Sequence, residues 1–272
     1  MNAGVRTKRV RKREPDASAA ALRELDDCVA IEEPLDVRIS GDTLAITMRT
    51  PGHDRELVLG FLWAEGIIGS PDDVSGLAHC GRSGAEGREN TIEVTLAPGV
   101  VVPDLSEGSV NRRGTVVTSA CGVCGRRTID DLLARFTRVR PPTNLDLDVV
   151  VGAVAKLTER QPIFAATGGT HAASLVDLSG NALATFEDVG RHNAVDKVVG
   201  SQVRARAMPL EDRVLVVSGR ASFEIVQKAM AARIPVVASV SAASSLAVEL
   251  AEAAGITLIG FVRGWCATIY AR

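Results

Sequence analysis

Aromatic residues and cysteines are both scarce in this chain of 272 residues, which carries two Trp, one Tyr, six Phe and five Cys. With so few rings, any sizeable core has to be built from valine, leucine, isoleucine and alanine. Hydrophobic residues make up 46% of the chain and charged residues 24%, the balance of a folded globular protein. The cysteines (Cys28, Cys80, Cys121, Cys124 and Cys266) are odd in number and form no disulfide framework, which fits a reducing, cytoplasmic setting where thiols stay free. No apolar run approaches the roughly 18 residues of a membrane span, so no membrane association is expected. An excess of one charge is missing too: the formal net charge is −2, leaving no global field to attract a nucleic acid. The opening stretch MNAGVRTKRVRKREPD is basic, but no apolar segment follows it, so a secretory signal is not expected. Its like charges and lack of apolar anchors read as a flexible basic tail over residues 1–28.

What is present is strong periodicity. EPLDVRISGDTLAITMRT (33–50) alternates on both sides of Gly41-Asp42, as two strands joined by a tight turn do. PGHDRELVLGFLWAEGII follows with Leu57, Phe61 and Ala64 at helical spacing, and Gly66 ends the helix. TIEVTLAPG reads as a further strand, GTVVTS as another, and RRTIDDLLARF as a helix. Pro141 and Pro142 break the pattern. An α+β part over residues 29–143 is therefore expected, followed by a second unit over 144–272. That unit alternates helices with apolar strands: LDVVVGAVAKLTER, a hairpin within PIFAATGGTHAASLVDLSGNALATFED, the helix GRHNAVDKVVGSQV, the strand RVLVVSG, a helix over 222–233, PVVASV, the helix SSLAVELAEAAG, and ITLIGFV. Such alternation predicts an α/β unit with a mostly parallel sheet covered on both faces.

In an open α/β sheet the binding crevice lies beyond the carboxyl ends of the strands. Three loops should meet there: SGRAS (218–222), SVSAASS (239–245) and FVRGWC (261–266). The first two run into helix N-termini, where free amides favour anions, and Arg220 and Arg263 can fork two hydrogen bonds onto a phosphate. A phosphate-bearing ligand follows as a candidate, with ordinary helix capping as the plainer reading of the serines. Thr167-Gly168-Gly169-Thr170-His171 is a second turn that could bring amides near a ligand or merely relieve a bend. In EDVGRHNAVDK, Glu187, Asp188, Arg191, His192 and Asn193 crowd the start of a helix, as a buried polar network or a site would.

The sharpest local signal is TSACGVCGRRT (118–128), a Cys-x-x-Cys on a glycine-lined turn. Structural zinc needs four ligands, and only His79-Cys80 is on hand to complete the set. A zinc deaminase needs H-x-E and P-C-x-x-C; here no proline precedes Cys121, and His171 is followed by Ala172-Ala173. A helix start and the neighbouring Arg126 and Arg127 would lower a thiol pKa from about 8.5, making a nucleophilic thiolate. Sulfur relay and dithiol redox exchange both want that group, and local chemistry does not separate them.

SACGVCGR, TPGHDRELVLGFLWAEGII, FEDVGRHNAVDKVVG and the run from SGRASFEIV to GFVRG together resemble the formate dehydrogenase accessory sulfurtransferases, the FdhD family, from about residue 29 onward. The resemblance implies a cytoplasmic homodimer that takes persulfide sulfur from a cysteine desulfurase. It then passes the sulfur to molybdenum bis(molybdopterin guanine dinucleotide), with formate dehydrogenase as the client. By position it implies Cys121 as the persulfide carrier and Cys124 as its partner. Phe261, Val262, Arg263, Gly264, Trp265 and Cys266 fall in the cofactor-binding stretch, joined here by Ser218, Gly219, Arg220 and His192. It further implies a cytidine-deaminase-like three-layer fold for the second unit without the zinc, and no protein-bound metal is expected. Trp265-Cys266-Ala267-Thr268 departs from the basic residue and asparagine of the family pattern, and Cys266 itself reads as a buried, inert thiol. The rivals are a non-catalytic chaperone for the molybdenum cofactor and a dithiol redox protein using the same cysteines.

Overall fold

The structure, a computed structural model, describes residues 4–13, 22–80, 88–102 and 125–272. Strands β1 (Val5–Lys12) and β2 (Arg23–Ala30) form an antiparallel pair. β3 (Glu33–Ile39), β4 (Asp42–Arg49), β5 (Val74–His79) and β6 (Thr91–Leu96) form a four-stranded sheet in the order β4-β3-β6-β5, with α1 (Asp54–Ala64) between β4 and β5. Helices α2 (Gly125–Arg135), α3 (Leu147–Thr158) and α4 (Pro162–Thr167) come next, then β7 (His171–Asp177), β8 (Ala182–Asp188), α5 (Arg191–Arg204), β9 (Arg213–Val217), α6 (Phe223–Ala231), β10 (Val236–Ser239), α7 (Ser245–Ala254), β11 (Thr257–Arg263) and β12 (Cys266–Ala271).

The larger sheet runs β12-β11-β10-β9-β7-β8. Only the β9/β10 and β10/β11 pairings are parallel; β12/β11, β9/β7 and β7/β8 are antiparallel, so the sheet is mixed and the expectation of a mostly parallel sheet is corrected. The physical reason lies in the connections. Helices α6 and α7 carry the chain across between parallel strands, whereas the Ser179-Gly180-Asn181 turn and the short link after Arg263 can join only antiparallel neighbours. Alternation along each strand sorts its side chains between two cores. Val214 and Val216 face the layer closed by Val150, Val154 and Leu157 of α3. Leu215 and Val217 face the layer filled by Val195, Val198, Ile225 and Leu250 of α5, α6 and α7.

That second layer is continuous with the N-terminal half, since Leu35, Val37, Leu57, Leu62, Ile92 and Val94 belong to the same buried cluster. Helix α1 crosses α5 at Gly60 and Gly200, where a Cβ at either position would run into the backbone carbonyl of Asp196 or Glu56. Only glycine lets the two backbones approach this closely.

Three local readings change. The expected flexible tail contains strand β1, because the acidic strand RELDD supplies its counter-charges: Arg9 pairs with Asp26, Arg11 with Glu24 and Lys12 with Asp27. Pro162–Thr167 is a helix rather than part of a hairpin, with proline at its first turn, where a missing N–H costs nothing. Gly168, at φ 66°, is the left-handed residue that ends this helix, so the paired glycines serve a helix end.

Candidate functional site

The parallel strands β9, β10 and β11 bring their carboxyl ends to one edge, and the loops that leave them are stitched together there. Ala221 N–H donates to Ala242 O at 3.1 Å and Ser244 N–H to Ala221 O at 3.1 Å. Ser239 Oγ donates to Gly219 O at 2.6 Å and accepts from Ser241 N–H at 3.1 Å. Phe261 N–H donates to Ser241 O at 3.0 Å, which holds the third loop against the second. Ser222 and Ser244 sit at the N-caps of α6 and α7, but their hydroxyls accept no capping hydrogen bond from the backbone, so plain capping does not account for these serines.

Between the loops lies a cleft of about 320 Å³ whose polar wall is Arg191, Arg220, Arg263, His171, Ser218 and Ser241. Among the described residues no carboxylate lines it. Arg263 Nε donates to Val240 O at 3.2 Å, which fixes the guanidinium at the rim. Arg191 Nε is buried without a hydrogen-bond partner among the described residues. Burial and the nearby Arg220 charge together hold the Arg191 pKa below its ordinary value, with Glu224 opposing. Three guanidinium groups facing one space with no acid among them favour an anion, and a buried orphan donor favours one with several acceptor oxygens.

The expected site residues divide between the cleft and its surroundings. Ser218, Gly219, Arg220 and Arg263 come together in the cleft. His192 stands behind it, with Nε2 2.8 Å from Glu224 Oε2 and 3.2 Å from Ser222 Oγ. Burial lowers its pKa although Glu224 opposes the shift. The Val262 side chain is in the core under α3, because alternation on β11 turns it away from Phe261 and Arg263. Phe261, at φ 51°, and Gly264, at φ 56°, shape the turn into β12, while Trp265 projects from it, 85% exposed. Cys266, expected to be buried, is an exposed free thiol opposite Arg263. It opens an edge strand at the tip of a hairpin, where no core reaches it. Cys121 and Cys124 lie outside the described residues. Sequence reasoning singled out the segments that hold His171, Arg191 and Ser241 but did not name these three as lining one cleft.

The EDVGRHNAVDK segment forms a buried polar network, and one of its residues, Arg191, lines the cleft. Asp188 is fully buried and accepts from Thr50 N–H at 3.1 Å and Gly190 N–H at 2.8 Å, and Lys197 Nζ lies 2.7 Å from it. Lys197 also donates to Thr50 O at 3.0 Å, and Asn193 Nδ2 donates to Met48 O at 2.8 Å. These bonds tie α5 to the end of β4, while Arg191 of the same turn faces the cleft.

A larger cavity of about 600 Å³ opens at the start of α1, beside His53, Arg55, His79 and Glu89. Its lining mixes both signs, Asp54, Glu56 and Glu89 with Arg55 and Arg204, and Asp54 pairs with Arg49 and Glu56 with Arg204, so it lacks the one-signed charge of the cleft. Among the described residues, no group of three or more His, Cys, Asp or Glu side chains is placed to hold a metal ion. Among the same residues no helix is long and apolar enough to cross a membrane.

Comparison with known proteins adds to this geometry. The FdhD/NarQ family model matches residues 30–272. A sulfur carrier protein FdhD of Anaeromyxobacter sp. (strain K) is 52% identical over 252 residues, 90% of this chain and 87% of that one. A protein of the same name from Mycobacterium tuberculosis is 46% identical over 253 residues, 90% of each chain. A crystal structure from Desulfotalea psychrophila, described as a formate dehydrogenase accessory protein, superposes with a TM-score of 0.74 at 22% identity, covering 99% of this chain and 97% of that one. At that identity the superposition speaks for the fold.

Proposed function

This chain belongs to the FdhD/NarQ family, and on that premise we propose that it is a cytoplasmic sulfurtransferase for formate dehydrogenase. In this reading the Cys121 thiolate attacks the outer sulfur of a cysteine desulfurase persulfide. The desulfurase thiolate leaves, and Cys121 carries the sulfur as a persulfide. Attack by the Cys124 thiolate on the inner sulfur then releases hydrosulfide and closes a Cys121–Cys124 disulfide, which a dithiol reductant must reopen. The acceptor is molybdenum bis(molybdopterin guanine dinucleotide), a substrate of the reaction rather than a resident group.

One observation supports the acceptor assignment most directly: a cleft walled by Arg191, Arg220 and Arg263 with no carboxylate among the described residues, at the carboxyl ends of three parallel strands. A pyrophosphate suits that charge, and Ser218 and Ser241 add hydroxyls at its edge. Ser218 Oγ already accepts from Ala172 N–H at 2.9 Å, which leaves its own proton to donate. Layers of helices on both faces of the larger sheet are in keeping with the deaminase-like description. Phe261, Trp265 and Ile269 of the β11–β12 hairpin are exposed, and we assign them to the contact between two copies.

The reading is tested by incubating the protein with a cysteine desulfurase and cysteine, then mass-mapping the peptide that spans residue 121. One added sulfur is expected on Cys121, removable by reductant and absent from Cys121→Ala. A Cys121→Ala/Cys124→Ala variant that still matured formate dehydrogenase fully would leave only a cofactor-holding role.

A further inference from the structure

We propose that His171 is a further ligand-contacting group of the arginine cleft, and that its imidazole takes up a proton as a phosphate-bearing ligand binds. This rests on the cleft being the seat of a phosphate-bearing acceptor, and it adds a residue and a proton that the assignment so far does not contain.

His171 opens β7 and lines the cleft with Arg191, Arg220 and Arg263. Its ring makes no hydrogen bond to the described residues; what acts on it is burial and charge at a distance. His192, by contrast, is occupied by Glu224 and Ser222. A side chain at position 219 would bring its Cβ to 3.3 Å from His171 Nδ1 and 3.5 Å from Arg191 Cδ, so the bare Gly219 keeps that edge of the ring open. A neutral imidazole carries one donor and one acceptor, and its lone pair repels a phosphate oxygen; the protonated ring offers two donors.

The charges around the ring set the direction of the effect. Arg191 and His192 come from α5, Asp188 from β8, Arg220 from the loop after β9 and Arg263 from β11. Asp188 favours the proton but is already held by Lys197, and Glu224 of α6 acts one residue away on His192. Burial, then Arg191, then His192 lower the His171 pKa below its ordinary 6.5, so in the empty cleft the ring is neutral near pH 7. A bound polyanion reverses the arginine field and accepts the new donor, which raises the pKa in the complex. Linkage then requires the proton to strengthen ligand binding by the same factor that the ligand strengthens proton binding. Affinity therefore rises as pH falls through the pKa of the complex and levels off below that of the free protein.

The probe is diguanosine pyrophosphate, whose diester phosphates do not titrate in the histidine range. Calorimetry in two buffers of different ionisation enthalpy should show net proton uptake on binding, about half a proton per ligand midway between the two pKa values. Affinity should be about tenfold tighter at pH 5.5 than at pH 8, the equivalent of one pKa unit. The chain has four histidines, so the His171 imidazole resonance can be followed by NMR in the wild-type protein and should titrate at higher pH with ligand present. His171→Asn should still bind at pH 8 and lose the pH dependence. A His171 resonance whose titration the ligand leaves unmoved, or a His171→Asn protein with undiminished proton uptake, overturns the proposal while the acceptor reading stands. Absence of any binding by the wild-type protein at every pH overturns both.

Discussion

Arg49 and Arg191 are both arginines in polar, partly enclosed surroundings, and they are opposites. Arg49 is fully buried with its donors in use: Nε and Nη2 grip the two oxygens of Asp54 at 3.0 and 3.1 Å, and Nη2 also reaches Asn90 Oδ1 and Glu89 O at 3.1 Å. Arg191 faces a cleft with a buried Nε that meets nothing among the described residues, and the charge of Arg220 acts on it more strongly than that of Glu224. The first arrangement is complete without a ligand and holds β4, α1 and the turn before β6 together. The second is incomplete among the described residues, and an anion is the partner proposed for it. The partners of an arginine, more than its burial, separate a structural role from a binding one.

The largest effect should come from breaking the complete arrangement. Arg49→Met strands the Asp54 carboxylate and should cost about 3–5 kcal/mol in urea unfolding at pH 7.5, while folded protein keeps its affinity for guanosine diphosphate. Lys228→Met tests a second complete pair, in which Lys228 Nζ lies 2.6 Å from the fully buried Asp196. Burial raises the Asp196 pKa to about 6 against the pull of Lys228. Because that value lies above the unfolded 3.8, the stability linked to its proton is fully present below pH 3.8 and lost as pH rises through about 6. The Lys228→Met penalty should therefore be about 3 kcal/mol at pH 7.5 and clearly smaller at pH 5. A penalty that does not change between these two conditions would contradict this account of Asp196.

Arg191→Met should reverse the pattern seen at Arg49. Guanosine diphosphate binding should weaken by about 10- to 100-fold, the loss of one charge-assisted hydrogen bond, with no loss of melting temperature. A destabilised Arg191→Met protein with unchanged affinity would erase the contrast. The smallest effect is expected at Cys266→Ser, within about 0.5 kcal/mol of wild type in stability and unchanged in nucleotide affinity. A clear loss of affinity there would draw this exposed thiol into the site.

The parts of the fold legible in the sequence are those where one short period dominates. VLVV, VVAS and TLIG announce buried strands because both faces are covered, and Val195, Val198 and Val199 mark the inner side of α5. Strands β1 and β2 were not legible, since charged residues dominate β1 and the first half of β2, and the pair reads as strands only once the charges of one are set against those of the other. β12 was missed for a related reason: it is an edge strand, with one neighbour and little to bury. In the cleft, Ser218, Arg220 and Arg263 were readable from the rule that loops at strand carboxyl ends converge. Val262 was grouped with them although alternation on β11 argues against a side chain facing the same way as Arg263. Arg191 could have been named from its place at the first turn of α5, but only the fold shows that this turn adjoins the loops after β9 and β10. The Cys121–Cys124 segment lies outside the described residues, so its chemistry rests on the sequence.

The crossing of α1 and α5 at Gly60 and Gly200 also bears on how this protein can be dissected. Each helix presents a strip of naked main chain that is shielded by the other, and that strip would meet water if the chain were severed near Pro141 and Pro142. Neither fragment would keep its shape unaided, and the segment that bears the sulfur chemistry has to be studied on the intact polypeptide. A methyl group added at either glycine would act as a wedge, prying the cysteine-bearing half away from the half that holds the cleft.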